Sequence, residues 1–137
     1  MAKTIRLDIV TPERMVYSKD VNMVIARATD GDLGVLPGHI PLIAGLAVWP
    51  LRILTEEGEV QVSVSGGFIE VQPTKVTILA SSAELPEEID IDRAMAARER
   101  AEKLLAAKEG IDVARAQAAL QRALMRLRVA EKDRHND

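Results

Sequence analysis

From Ile5 to Ala80 the hydrophobic positions recur at every second residue, whereas from Asp90 onward they recur at every third or fourth. Ile5, Leu7 and Ile9 alternate with Arg6 and Asp8, and the same pattern returns at Val21, Met23 and Ile25. It returns again at Val60, Val62 and Val64, and at Val76, Ile78 and Ala80. Period two buries one face of a strand, so these stretches predict strands. Turn signals separate them: Thr11-Pro12, Asp30-Gly31, Glu56-Glu57-Gly58-Glu59, Gly66-Gly67 and Pro73-Thr74-Lys75. The apolar stretch Leu42 to Leu54 is interrupted by Gly45 and Pro50 and predicts two strands bent at a corner. Many short strands with regular turns predict a β-sandwich or barrel.

The pattern changes at Glu84 to Asp90. Pro86 is barred from a helix interior, and Asp90 stands where its carboxylate can cap a first helical turn. Ala94, Ala97, Ala101 and Leu104 then predict one helix, and Val113, Ala116, Leu120, Ala123, Leu127 and Ala130 a second, with Asp112 as its cap. A turn at Glu109-Gly110 folds the two into an antiparallel hairpin. The polar end, Lys132 to Asp137, is expected to fray. The expected class is therefore α+β: an antiparallel β-sandwich over residues 1–84, then a hinge and two-helix hairpin over residues 85–137. Alanine methyls bury little area, at roughly 0.8 kcal/mol per carbon group, so the hairpin needs a second surface to rest on. Two such surfaces of similar energy would make a switch.

Composition narrows the classes of function. At 137 residues, 47% hydrophobic and 28% charged, the chain has room for one solid core and an appendage. Tyr17, Trp49 and Phe68 are its only aromatic residues and its net charge is -3, which argues against a nucleic-acid partner. Without cysteine it has no disulfide or thiolate chemistry. No apolar run approaches the roughly 20 residues that cross a bilayer, and charges are spaced through the first ten residues. The expectation is a soluble, cytoplasmic chain that meets a membrane only through a partner.

Two groups of residues are candidates for function. Thr29 to Pro41 is rich in Gly and Pro, lacks the Lys-Ser/Thr pair of a phosphate loop, and carries Leu33, Val35 and Leu36 at its expected tip, which suits a protein contact. Arg93 and Arg100 stand seven residues apart, and Arg122 and Arg126 four apart. Folded as a hairpin they converge, and an anion such as a nucleotide phosphate would then hold them by charge-assisted bonds. The plainer possibility is solvated arginines paired with Glu99, Glu102 and Glu131. An enzyme is disfavoured: His39 and His135 are the only histidines, and Ser63-Val64-Ser65-Gly66-Gly67 lacks the first glycine of a nucleophile elbow. No catalytic residue and no metal site is expected.

DGDLGVLPGHIPLIA (Asp30 to Ala44), SVSGGFIEVQPTKVTILA (Ser63 to Ala80) and IDIDRA (Ile89 to Ala94) together resemble the epsilon subunit of the F-type ATP synthase, in order and over nearly the whole chain. One departure is Asp32, where many relatives carry Glu. The resemblance implies a non-catalytic subunit of the rotary central stalk, peripheral on the cytoplasmic face of the membrane. Its partners would be the gamma subunit and the c-ring, met through Asp32, Leu33, Leu36 and His39. The catalytic alpha and beta subunits would be met by an extended hairpin through Arg115, Arg122 and Arg126, impeding ATP hydrolysis. Some bacterial relatives bind ATP through Ile/Leu-Asp-x-x-Arg-Ala, which Ile89, Asp90, Arg93 and Ala94 match; Glu84, Arg100, Arg122 and Arg126 correspond to the remaining contacts. ATP would be a regulatory ligand favouring the compact form, with no cofactor required. The alternative is a free-standing ATP-sensing adaptor without a rotary partner.

Overall fold

Apolar side chains on alternate positions can leave water only if their strands share one interior, and here they do. The computed structural model describes residues 3–107, Gly110 and 112–135, the side chains of Arg134 and His135 excepted. Its strands are β1 (Ile5–Val10), β2 (Met15–Val21), β3 (Met23–Ala28), β4 (Gly31–Val35), β5 (Leu42–Thr55), β6 (Gly58–Val71), β7 (Lys75–Ala80) and β8 (Ala83–Glu84). A short 3-10 helix (Pro86–Glu88) leads into α1 (Ile91–Ala107) and α2 (Val113–His135). The strands hydrogen-bond in the order β2-β1-β7-β6-β5-β3-β4, with β8 on β6. Every pairing is antiparallel except β1 with β7, which is parallel. Ile9, Val21, Val24, Val35, Ile53, Val62, Ile69 and Ile78 are buried in one cluster to which all eight strands contribute. The N-terminal β-sandwich and C-terminal helix pair are thus as the hydrophobic period predicts.

Three expectations about the sandwich are corrected. The segment opening Thr29 to Pro41 is not all loop: Gly31–Val35 is β4, paired with β3 from Val24↔Val35 to Ala28↔Gly31. Val35 is consequently buried in the core, and Leu33 is half-buried against it, so neither is a tip residue. Leu42–Thr55 is one 14-residue strand, not two. Pro50 is tolerated in it opposite Ser63, and the bend is taken up by a register irregularity between β3 and β5. Gly66-Gly67 is no chain reversal either, since β6 runs through both residues. Gly67 has φ +121°, and a Cβ there would lie 2.1 Å from the Leu79 carbonyl oxygen. Glycine therefore distorts β6 so that β7 can approach closely.

In the hairpin, Asp90 and Asp112 cap as expected: Asp90 Oδ1 accepts from the Arg93 N–H at 3.0 Å and Asp112 Oδ1 from the Arg115 N–H at 3.1 Å. Gly110, φ +67°, lies in the turn, while Glu109 is outside the described residues. Ala94, Ala101, Ala116, Ala123 and Ala130 are buried, but Leu104 and Val113 are about half exposed at the far end. The seam therefore closes only near the hinge and along its middle. α2 continues through Lys132 to His135 where fraying was expected. It also buries Met125 beside Val48, Trp49 and Pro50, where it lies against β5 and β6. The described hairpin is docked on the sandwich.

Gly67→Ala is expected to cost about 3 kcal/mol or more, from the left-handed φ and the collision with Leu79. Urea unfolding measures it; an unchanged midpoint would refute the close approach of β6 and β7.

Candidate functional site

The hinge is held at both ends. Glu88 Oε1 accepts from the Leu85 N–H at 2.9 Å, and its Oε2 accepts from Arg14 Nη2 at 2.5 Å, which ties the 3-10 helix to the β1–β2 turn. These two bonds, the backbone one foremost, hold the Glu88 carboxyl below its ordinary range. Pro86, read as a helix breaker, begins this 3-10 helix. Just beyond, Ile89 is buried with Val129 and Ala130 of α2, and Ile91 packs beside them.

These contacts give most of Ile-Asp-x-x-Arg-Ala a structural task. Ile89 seats the hinge on α2, Asp90 caps α1, and Ala94 is buried in the hairpin. Arg93 is left exposed, as is Arg100. About two helical turns, roughly 10 Å, separate this pair along α1. Among the described residues neither guanidinium is paired with a carboxylate, since Glu99 is engaged by Lys103 at 3.3 Å and Glu102 by Arg98 at 3.6 Å. On α2, Arg122 is half-buried, and Arg126 Nε donates to Glu84 Oε1 of β8. The structure thus brings Arg126 to Glu84, leaves Arg93 and Arg100 facing water, and puts Arg115 exposed at the first turn of α2.

Beneath α2 the sheet is polar along β6 and largely apolar along β5. Ser63 is opposite both Pro50 and Glu84, so Arg126 and Glu84 meet over the face that also carries Gln61 and Ser65. Ser65 Oγ and Gln61 Oε1 are buried without a protein partner, and Ser63 is 2% exposed. A cavity of about 300 Å³ remains there, walled by Val48, Trp49 and Pro50 of β5 and by Leu124, Met125 and Arg128 of α2. The Arg128 guanidinium lies 5.0 Å from the Trp49 ring centre and that of Arg27 lies 3.8 Å from it. Sequence reasoning missed this contact, because nothing in local spacing brings residue 128 to residue 49.

The expected partner-contact residues fall in two places. Asp32 is on β4, where Oδ1 accepts from Arg27 Nε at 2.9 Å; that bond holds its carboxyl below the ordinary range. Leu36 and His39 lie beyond β4, about 13 Å of strand farther on, in a loop joined to the β6–β7 turn by the Gly38 N–H to Pro73 carbonyl bond of 2.8 Å. The sheet exposes a further apolar row. Phe68 and Leu79 are direct cross-strand neighbours and Val10 pairs with Leu79, while Ile43 sits opposite Glu70 on the same face. Ile43, Phe68 and Leu79 are 70%, 60% and 54% exposed, and Leu36 and Ile40 are exposed beside them. The signal was present in strand phase: with Ile69, Val71, Ile78 and Ala80 pointing inward, Phe68 and Leu79 must point out.

The architecture is an eight-stranded sandwich with a capped helical hairpin lying across it. Residues 4–86 match the β-sandwich domain of the ATP synthase delta/epsilon chain, and residues 87–131 match its long α-helix domain. The ATP synthase epsilon chain of Halalkalibacterium halodurans is 50% identical over 129 residues, 93% of this chain and 97% of that one. That of Desulforamulus reducens is 48% identical over 132 residues, covering 96% of this chain and 100% of that one. A chain in the Euglena gracilis mitochondrial ATP synthase, solved with OSCP, F1 and c-ring, superposes with TM-score 0.74 at 27% identity, covering 98% of this chain and 84% of its own. The chain belongs to the epsilon-chain family of the F-type ATP synthase. No described helix is long and apolar enough to cross a membrane.

Because the Glu88 pKa is depressed by folding, its stabilisation is complete above the unfolded value of about 4.3 and is lost as pH falls through the folded value. Hinge anchorage should therefore weaken below about pH 4. Glu88→Gln should be less stable than the parent at pH 7, with the gap closing on acidification in urea melts. Parallel curves from neutral to acid pH would remove Glu88 as the clamp.

Proposed function

We propose that this chain is a non-catalytic rotor subunit whose sandwich docks on the central stalk and whose hairpin regulates ATP hydrolysis by moving between two seats. The observation that carries this reading is the seam under α2. A helix meant to stay would cover a wholly apolar face, yet α2 covers a mixed one, with Val48, Trp49 and Pro50 beside Gln61, Ser63 and Glu84, and water can take over the polar part when the helix leaves. Arg126 has an either/or role in this scheme: bonded to Glu84 when docked, and available with Arg115 and Arg122 to acidic surfaces of the alpha and beta subunits when released.

The exposed residues Leu79, Phe68 and Ile43, with half-buried Val10 beside Leu79, form an apolar row of the kind that marks a protein contact. It fits gamma, and the Leu36–His39 loop beside it fits the c-ring junction, which would hold the chain peripherally at the cytoplasmic face of the membrane. A free-standing ATP-sensing adaptor would have no use for that row.

ATP is the regulatory ligand in this reading. Arg93 and Arg100 on α1 with Arg122 on α2 supply donors for phosphate, and an anion shared by the two helices favours the closed hairpin. Glu84 and Asp90 have internal partners, so ATP contact at either shares its carboxylate with Arg126 or with the α1 cap. At about 100 times its dissociation constant ATP would favour the compact form by roughly 2.7 kcal/mol, enough to reverse a near-balanced switch.

Titration calorimetry with ATP and magnesium should show binding to the parent chain and about tenfold weaker binding for Arg93→Ala and Arg100→Ala. Equal heats in all three would end the ATP reading and leave the stalk reading standing. Separately, Phe68→Glu and Leu79→Glu should fold normally yet fail to co-purify with gamma. Undiminished assembly would move the docking face elsewhere.

A further inference from the structure

We propose that Trp49 is a latch plate for the docked hairpin, gripped by Arg128 of α2, and that Asp32 sets the strength of the grip by neutralising Arg27 on the same ring. The latch concerns how the hairpin is held and rests on the two-seat reading above. Four observations define it. Arg27 and Arg128 lie 3.8 and 5.0 Å from the Trp49 ring centre, both within the range of a cation–π contact. Arg27 is a fixed part of the sandwich, on β3, whereas Arg128 arrives with α2. Arg27 is bonded to Asp32 at 2.9 Å, its cross-strand partner in register. Arg27, Asp32, Trp49, Arg52 and Arg128 all line one cavity of about 290 Å³.

The electrostatics make Asp32 decisive. Two guanidiniums at one indole repel each other, and the ring's quadrupole must serve both. Arg52 adds a third cation, already neutralised by Glu59 through bonds of 2.8 and 3.1 Å. With Asp32 on Arg27, only Arg128 brings uncompensated charge to the ring from within this group. Take the Asp32 carboxylate away and the uncompensated charge of Arg27 repels Arg128 at the ring they share. Asp32 is exposed at a sandwich edge strand, so a basic group of a neighbouring chain that draws its carboxylate off Arg27 would loosen the hairpin. Contact at Asp32 on β4 and release of α2 are then one event, carried through the side chains of Asp32, Arg27, Trp49 and Arg128.

Hydrogen exchange along α2 in the full chain reads the latch directly, with the Ile9 and Ile78 amides of the sandwich as an internal control. Arg128→Leu and Asp32→Asn should each raise α2 opening about three- to tenfold and leave the control unchanged. Asp32→Asn combined with Arg27→Gln should return opening close to the parent value, because removing the competing cation restores the ring to Arg128. Unchanged exchange in Arg128→Leu or in Asp32→Asn overturns the latch, as does a double variant as open as Asp32→Asn alone. If α2 of the parent opens separately from the sandwich but ignores these changes, the latch falls and the switch stands. If α2 exchanges only with the whole sandwich, both fall.

Discussion

One helix carries two burdens. α2 must cover the alanines of α1 on one side and a mixed floor on the other, Val48, Trp49 and Pro50 of β5 beside the polar Gln61 and Ser63 of β6. Ala94, Ala101, Ala116 and Ala123 bury single methyls, each worth on the order of 0.8 kcal/mol, and the outer leucine and valine that might have closed the tip, Leu104 and Val113, stay half exposed. Hold on the sandwich comes from a few specific groups: Met125, the Arg126–Glu84 pair and Arg128 on Trp49. Partial burial keeps such contacts modest. An attachment made of a few modest terms can be undone by one ligand or one partner contact.

The hinge explains how such a weakly seated helix pair keeps a defined starting geometry. Leu85 packs on the sandwich core, Pro86 is buried, Glu88 is bonded to the Leu85 N–H and to Arg14, and Ile89 joins Val129 and Ala130 in a small core of its own. In Ile-Asp-x-x-Arg-Ala three of the fixed residues build the entry to α1 and the fourth, Arg93, is displayed by it. These residues act largely as a folding signal, and Arg93 is left exposed on the first turn of α1.

The two surfaces of the sandwich divide the work. The apolar row of Leu79, Phe68 and Ile43 lies on strands that do not depend on the hairpin, so the docking proposed for that face would not require the helices to lie in one particular way. The seam around Trp49 does depend on them. Asp32 belongs to the second region, not to the loop of Leu36 and His39, because β4 carries it back to Arg27. The assembly and regulation proposed above would therefore draw on separate side chains of one small scaffold.

The chain's own period determined much of this. Alternation placed the inward residues of β1, β6 and β7, Pro86 and Asp90 marked the change from strand to helix, and Asp112 marked the second cap, because these effects act over a few neighbouring residues. Tertiary structure alone decided that Gly66-Gly67 would bend a strand and not reverse it, since the reason is the Leu79 carbonyl of another strand. It alone made Gly31–Val35 a strand, by offering β3 as a partner. Local spacing likewise left open whether the arginines of α2 would find glutamates nearby on the helix or reach Glu84 and Trp49 across the fold. That choice turns on how α2 lies on the sheet, and so does the regulatory character read from it.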